Sequence, residues 1–217
     1  FVLRGSVLPL IAPRLLGTAL FAALITWLHS RYAWLGGLNF ISFSLVGLSL
    51  AIFLGFRNST AYARYWEART LWGSLLNASR TLTRQALTVS RAPAAAHSLA
   101  LRLSAFVHCL RHQLRGTDAS ADLALFLPPA DCQRIAQARF PASVALLLAD
   151  EWLRERLQAG DVSEPALPAL EHELAQLGSA LGGCERIAAN PVPFTYAVII
   201  HRCVYLYCFL LPFGLVD

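Results

Sequence analysis

The sequence predicts an all-helical membrane protein in which long helices continue from the bilayer into a helical bundle in the cytosol. Hydrophobic residues make up 56% of the chain and charged residues only 14%, whereas a typical soluble domain has about 25% charged residues. The apolar residues concentrate in three runs, and no stretch of useful length alternates as a strand would. This composition excludes a disordered chain and argues against an ordinary soluble enzyme.

Two apolar runs in the first part of the chain predict a transmembrane hairpin. Residues 38–56 include no charged side chain, and a bilayer-spanning helix needs about 20 predominantly apolar residues. Residues 7–28 contain one charged residue, Arg14, so the better span begins at Leu15. A signal peptide is the alternative for this first run, but the charge-free run that follows favours the hairpin. Gly47 and the serines around it suit close helix packing in a membrane.

A third apolar run, residues 194–217, predicts another membrane helix at the cost of one arginine, Arg202. This arginine either extends to the membrane edge or lines a pore, where it would meet permeating ions. If membrane helices come in hairpins, a return span should follow Asp217, and the chain contains no methionine. We therefore expect the protein to extend beyond both ends of this sequence.

The middle of the chain, residues 57–190, predicts amphipathic helices outside the membrane. No breaker except Gly73 interrupts residues 57–85, so the second membrane helix is expected to run directly into this region. Further helices are expected after Pro141 and after Ser163. Breaks are expected at residues 92–93, 116, 128–129, 160 and 182–183. Apolar residues recur at helical spacing and predict the core of the bundle: Leu71, Leu75, Ala78, Leu82, Leu99, Leu103, Phe106, Leu110, Leu170, Leu174, Leu177 and Leu181.

One apolar stripe in the second membrane helix is a candidate constriction. Leu48, Ile52 and Phe56 recur at every fourth position and therefore lie along one helix face. In an oligomer, rings of such side chains would form a hydrophobic neck that gates a pore by dewetting. The alternative is that they face lipid or pack against other helices, which periodicity by itself favours because every membrane helix has such a stripe.

The charge pattern fits a membrane or anion-attracting protein better than a nucleic-acid binder. All 18 basic residues are arginines, and the net charge is +5. This excess suits loops that face a cytoplasmic leaflet or a surface that attracts anions. The arginines are spread along the predicted helices and do not cluster with stacking aromatics, so no nucleic-acid partner is expected.

No arrangement of residues predicts a catalytic, metal or cofactor site, so the protein is not expected to be an enzyme. His108 and His112 lie four residues apart and could hold a metal on one helix face. No glutamate follows the first histidine as in an HExxH motif, so packing or surface histidines are the better interpretation. The five cysteines show no CxxC spacing and are expected to be reduced thiols.

An aromatic and charged motif follows the second apolar run. Glu67 can pair with Arg64 three residues earlier, and the tryptophans could lie at the membrane interface or in a core. The pattern aromatic-Trp-Glu-x-Arg-x-x-Trp-Gly is met at Tyr65, Trp66, Glu67, Arg69, Trp72 and Gly73. Together with the helix before it, this stretch resembles the signature of the bestrophin family. Residues 190–196, NPVPFTY, resemble the Pro-x-Pro segment that opens the family's third long helix, and the bacterial branch is the closest fit.

The resemblance implies a homopentameric ion channel with one pore on the five-fold axis, embedded in a bacterial inner membrane as a multi-pass protein. The family's neck residues fall on Leu48, Ile52 and Phe56. The family also has a cytosolic aperture, for which Val192 and Ile199 are the candidates here. The expected partners are the lipid bilayer, further copies of the chain and small monovalent ions, either chloride or, as in some bacterial members, sodium.

The domain prediction combines these observations. Residues 1–56 are expected to form the transmembrane hairpin with the pore-neck helix, residues 57–193 a cytosolic helical region, and residues 194–217 a third membrane helix. The alternative function is a membrane-anchored helical scaffold or signalling module without a pore. Such a protein would be a monomer or dimer in detergent, whereas the channel would be pentameric and pass ions.

Overall fold

The structure, a computed structural model, describes residues 8–32, 40–91, 93–191 and 193–215. Every regular element in these ranges is helical, which confirms the all-α prediction. Short 3-10 turns precede two of the helices, at Pro93–Ala95 and Glu164–Ala166. The helices are α1 (Leu8–Tyr32), α2 (Phe40–Val89), α3 (Ala96–Arg115), α4 (Ser120–Leu123), α5 (Pro129–Ala136), α6 (Pro141–Gln158), α7 (Leu167–Ala189) and α8 (Phe194–Gly214).

The chain divides into two compact units. The first comprises Phe1–Ala61 and Val192–Asp217, and the second comprises Tyr62–Pro191. Helix α2 has no proline and is continuous over Phe40–Val89, as expected from the lack of breakers after Phe56. It therefore contributes its first part to the first unit and its second part to the second unit.

The first unit consists of apolar helices that pack closely on each other. Helix α1 packs against α8, where the rings of Phe21 and Phe209 stack with centroids 4.8 Å apart. Helix α2 approaches α8 at Gly47, where a Cβ atom would lie 2.5 Å from the Tyr207 hydroxyl oxygen. Small residues allow such close approach of membrane helices, as predicted for Gly47.

Two helices of the chain are long and apolar enough to cross a membrane among the residues described. They are α1, with a mean hydropathy of 1.8 over its most apolar window, and the part of α2 that begins at Phe43. The apolar part of α8, Val198–Gly214, is shorter. Most large apolar side chains of α1 are exposed, including Leu10 and Leu20. Their exposure fits a lipid surrounding, in which apolar side chains need no protein cover.

The second unit encloses a conventional hydrophobic core. Residues with predicted helical spacing, such as Leu75, Leu82 and Phe106, are fully buried there. Trp152 of α6 is buried in the same core, and its indole Nε1 donates a hydrogen bond to the Ala95 carbonyl at 3.0 Å. Burial of these side chains is the main source of stability for the unit.

Four of the five predicted helix breaks, at residues 92–93, 116, 128–129 and 160, fall between helices, and the break predicted at residues 182–183 is wrong. Gly116 ends α3 with φ +63°, and Gly160 follows α6 with φ +73°, both in the left-handed region that glycine adopts readily. Gly182 and Gly183 instead lie inside α7. A Cβ atom at Gly183 would lie 2.7 Å from the Leu71 Cδ2 atom, so this glycine allows α2 and α7 to pack closely.

Candidate pore neck

The three candidate neck residues lie along one face of α2 in the first unit. Leu48 is 60% exposed, Ile52 50% and Phe56 68%. Helical spacing aligns them over two turns, because α2 is regular through this stretch. One copy of the chain thus presents three large apolar side chains in a row, each at least half exposed.

Helix α8 packs against a different face of α2. The residues of α2 that face α8 include Val46, Leu50 and Phe53, and they line an apolar cavity of about 390 Å³ with α8 residues such as Cys203. None of the three neck residues lines this cavity. The neck stripe is therefore left free for lipid or for other copies of the chain.

The stripe offers hydrocarbon and no group that could hold an ion. The Ser49 hydroxyl donates to the Leu45 carbonyl at 2.9 Å, and the Thr60 hydroxyl donates to the Phe56 carbonyl at 3.0 Å. These polar groups are satisfied within the helix, as the membrane interior requires. An ion that passes such side chains finds no ligands to replace its hydration shell, so the stripe can act as a dewetting barrier and cannot act as a binding site.

The electrostatic setting of the stripe is positive. Residues 1–66 contain no aspartate or glutamate, and Arg57 directly follows Phe56. On α8, Arg202 is exposed, and the neighbouring His201 ring packs on Tyr205 with centroids 5.2 Å apart. A field of this sign attracts anions to the region and raises their local concentration.

Of the two candidates for the cytosolic aperture, the structure describes only Ile199. Ile199 is 54% exposed on α8 and lines the cavity between α8 and α2. Val192 lies outside the described residues. The aperture assignment therefore stays a prediction for both residues.

The family-signature residues lie on α2 in the second unit, and Glu67 has a partner that the sequence did not indicate. Its carboxylate accepts a hydrogen bond from Arg186 of α7, whereas a pair with Arg64 was expected. The Arg64 guanidinium instead donates to the carbonyl oxygens of Ile187, at 2.8 Å, and Asn190, at 2.6 Å. Because the last carbonyls of a helix lack partners in the helix itself, a guanidinium is a strong ligand for the C-terminus of α7.

The two tryptophans of the signature lie in different environments, one partly buried at the core and one exposed. Trp72 is partly buried against the core of the second unit. Trp66 is 61% exposed, and its ring stacks on Tyr62 with centroids 6.5 Å apart. Arg69 is exposed. Arg186 was not identified from the sequence as the partner of Glu67. The one sequence signal for it is its position as a basic residue in the last turn of a helix that ends just before Pro191.

The histidine pair of α3 has a carboxylate partner. Asp122 on α4 accepts hydrogen bonds from His112 Nε2 at 2.8 Å and from His108 Nδ1 at 3.0 Å, and it also pairs with Arg111. The bonds from His112 and His108, with the charge of Arg111, lower the pKa of Asp122 to about 2. This network gives the two histidines a structural role at the α3–α4 junction.

Comparison with known proteins identifies the family. The description Bacterial/Fungal Bestrophin protein matches residues 1–217. The chain is 44% identical to a voltage-dependent anion channel-forming protein of Ralstonia nicotianae, over 99% of this chain and 71% of that protein. It is 43% identical to the voltage-dependent anion channel-forming protein YneE of Escherichia coli, over 100% of this chain and 71% of that one.

A solved crystal structure supports the same family assignment. The crystal structure of a point variant of a bacterial bestrophin homologue from Klebsiella pneumoniae superposes with a TM-score of 0.89 at 43% identity. The match covers 95% of this chain and 78% of that one. These matches confirm the predicted fold, the predicted membrane character and the predicted ion-channel class. The chain belongs to the bacterial/fungal bestrophin family, a family of ion channels.

Proposed function

We propose that this protein is a homopentameric channel of the bacterial inner membrane that passes small anions such as chloride through a hydrophobic neck. Five copies of α2 surround one pore, and Leu48, Ile52 and Phe56 form three successive rings that narrow it. The observation that carries the proposal is the exposed apolar stripe on α2, which lies on a different face from the one that packs against α8.

The neck acts as a barrier to hydrated ions. Each ring removes water from the pore, and because the side chains offer no ligands, an ion crosses only when the neck is wet. The barrier therefore depends on the size and apolarity of these side chains, and movement through it follows the electrochemical gradient. This mechanism requires no bound cofactor, metal or catalytic residue, and we propose no enzymatic activity and no nucleic-acid partner.

The preference for anions rests on charge and on relatives. The relatives from Ralstonia nicotianae and Escherichia coli bear the name of anion channel-forming proteins. In this chain the first acidic residue is Glu67, after five arginines that include Arg57 next to the neck. Since an apolar neck discriminates weakly by charge, the surrounding arginines would supply most of the selectivity for chloride over sodium.

The proposed membrane arrangement follows the predicted domains. Residues 1–56 form a hairpin that carries the neck, residues 194–217 form a third membrane helix, and residues 57–193 lie in the cytosol. Ile199 and Val192, near the start of α8, form a second constriction at the cytosolic side in this proposal.

The decisive experiment compares two phenylalanines of α2 in planar-bilayer recordings. Phe56 is 68% exposed on the neck stripe, and Phe53 is 61% exposed on the face toward α8. Phe56→Ala should raise the conductance or open probability by roughly tenfold, since about 1.4 kcal/mol of barrier corresponds to a tenfold change in rate. Phe53→Ala, the matched control, should leave both within about twofold of the wild type.

A second substitution in the stripe completes the test. Ile52→Ala should act in the same direction as Phe56→Ala, because it widens the adjacent ring. If Ile52→Ala and Phe56→Ala both conduct like the wild type, the neck assignment is wrong. If the purified protein is a monomer or dimer in detergent and liposomes containing it do not leak ions, the scaffold alternative replaces the channel.

A further inference from the structure

The second unit carries an open apolar cleft between α2 and α3. The cleft has a volume of about 830 Å³. Its α2 wall includes Leu76, which is 50% exposed, and Leu87, which is 51% exposed. Its α3 wall includes Leu103 and Val107. Exposed apolar side chains that line a concave surface are typical of an interaction site, because water contact with them is unfavourable.

The α2 side of the cleft is positively charged. Arg80 and Arg84 lie one helical turn apart, and neither forms an ion pair with any described residue. Ser79 lies beside them, and its hydroxyl oxygen is buried without a hydrogen-bond partner in the described part of the chain. The cleft therefore presents two unpaired guanidinium groups along an apolar floor, and it suits a partner with carboxylates and apolar side chains.

A surface of opposite charge lies on α6 and α7, and we call it the acidic ridge, defined by Asp150 and Glu171. Both residues are exposed, and neither forms an ion pair with a described residue. Partial burial, and to a lesser extent the nearby carboxylates of Glu151 and Glu171, raise the pKa of Asp150. Arg154 lies one turn further along α6 and is not paired with Asp150. The two carboxylates of the ridge thus lack an ion-pair partner among the residues that the structure describes.

The cleft and the acidic ridge lie on opposite edges of the second unit. Helix α2 contacts α7 through Glu67 and Arg186. Helices α3 and α7 both pack against α6 and also against each other. Helix α2 also borders α3 at the cleft, so α2 and α6 lie on opposite sides of the α3–α7 pair. The four helices therefore follow the cyclic order α2, α7, α6, α3. The α2–α3 edge is therefore opposite the α6–α7 edge.

A closed ring of identical subunits needs two surfaces of complementary charge on opposite edges of each subunit. In a head-to-tail interface each copy uses two different surfaces, one toward each neighbour. We propose that the cleft of one copy binds the acidic ridge of the next copy, with Arg80 and Arg84 facing Asp150 and Glu171. This inference rests on the proposed homopentamer and assigns the surfaces that hold its cytosolic part together. The unpaired arginines and carboxylates then neutralise each other, and Leu76 and Leu87 are covered.

Charge reversal on each surface tests the pairing. Wild-type protein in mild detergent should be pentameric by light scattering after size exclusion. Arg80→Glu with Arg84→Glu, or Asp150→Arg with Glu171→Arg, should lower the pentameric fraction by about tenfold, because like charges then face each other. The protein with all four substitutions should regain the pentamer to within about twofold of the wild type. Arg115→Glu with Arg139→Glu is the control of equal charge change at exposed positions outside both surfaces.

Crosslinking tests the same contact without disturbing its charge balance. Two differently tagged chains, one with Arg84→Cys and the other with Glu171→Cys, are co-expressed in a background with Cys203→Ser and Cys208→Ser. A short bis-maleimide should join the two tags, whereas a pairing of Arg115→Cys with Glu171→Cys should give no product. Absence of the expected product in a protein that remains pentameric would overturn the inference.

The outcomes separate this inference from the proposed function. A wild-type protein that is not pentameric overturns both. A pentameric wild type whose two charge-reversed variants are also pentameric overturns the pairing of cleft and ridge but leaves the channel proposal standing. Loss of co-purified anionic phospholipid from the Arg80→Glu, Arg84→Glu protein with no change in oligomeric state would assign the cleft to lipid and would also overturn the inference.

Discussion

The two units of the chain differ in how much of their large apolar side chains is exposed. The first unit leaves large apolar residues exposed, with Leu10 at 78% and Leu20 at 71%. The second unit buries many of its own in one core, with Phe106 and Leu110 at 0%. It follows that the second unit is stabilised mainly by its own core, whereas the exposed apolar surface of the first suits a lipid surrounding.

Charge separates the two units as well. The described residues of the first unit include arginines and no acidic residue, while the second unit holds ion pairs between helices such as Glu67 with Arg186 and Glu151 with Arg134. A positively charged first unit suits an anion pathway, and a second unit with paired charges suits a stable support. Substitutions that act on one unit only can therefore test the division.

The largest expected difference comes from the same substitution in the two units. Phe106→Ala removes a fully buried ring and should lower the free energy of unfolding by about 3–5 kcal/mol. Phe56→Ala removes an exposed ring and should leave the unfolding of the second unit unchanged while altering conductance. Thermal unfolding of both purified variants, followed by far-ultraviolet circular dichroism, measures the difference. Equal destabilisation by the two substitutions would contradict the division.

A smaller effect is expected from the close contact of α2 and α8 in the first unit. Gly47→Ala places a methyl group against the Tyr207 hydroxyl and should cost about 1–2 kcal/mol, because the flexible ring can move aside in part. Tyr207→Phe removes that hydroxyl and should restore most of the loss in the double variant. Gly55→Ala, where nothing lies within 4 Å of the added methyl group, is the control. The melting temperature in detergent is measured for Gly47→Ala, for the double variant with Tyr207→Phe and for Gly55→Ala. If Tyr207→Phe does not restore the stability of Gly47→Ala, a contact other than the Tyr207 hydroxyl causes the loss.

The comparison also shows what the sequence could predict. The continuity of α2 was predictable because helix formation is governed locally, and no proline interrupts residues 40–89. The burial of Leu75, Leu82 and Phe106 followed from helical periodicity. The spacing of the neck residues also predicted that they share one helix face. Their exposure was not predictable, because it depends on which face of α2 packs against α8, and no local sequence pattern specifies that.

The failures share a physical cause, which is tertiary contact. Gly182 and Gly183 predict a break because glycine disfavours helices by about 1 kcal/mol, yet packing of Gly183 against Leu71 outweighs that cost. Glu67 was assigned to Arg64 from their spacing, but Arg64 instead binds carbonyls at the end of α7, more than a hundred residues away in sequence. The carboxylate that joins His108 and His112 was missed for the same reason.

Within the second unit, the cap that Arg64 places on α7 should have a local effect. Arg64→Ala removes two hydrogen bonds to the carbonyls of Ile187 and Asn190 and should cost about 1 kcal/mol. Hydrogen exchange of the amides at residues 186–190 should become faster, while exchange in α3 should not change. The control is Arg115→Ala, which removes an exposed arginine at the end of α3. Unchanged exchange at the end of α7 would mean that water replaces the guanidinium without loss.

The smallest expected effect is the pH dependence contributed by Asp122. Hydrogen bonds from His112 and His108 hold the pKa of this carboxyl at about 2, below its ordinary value of 3.8. A lowered pKa in the folded protein adds stability above the ordinary pKa, and this stability is lost as the pH falls through the folded value. The difference in melting temperature between wild type and Asp122→Asn should therefore be constant above about pH 5 and shrink between about pH 4 and pH 2. In a His112→Ala background the change with pH should be smaller, because the His112 bond is the main cause, and a difference that is flat from pH 6 to pH 2 would rule this account out.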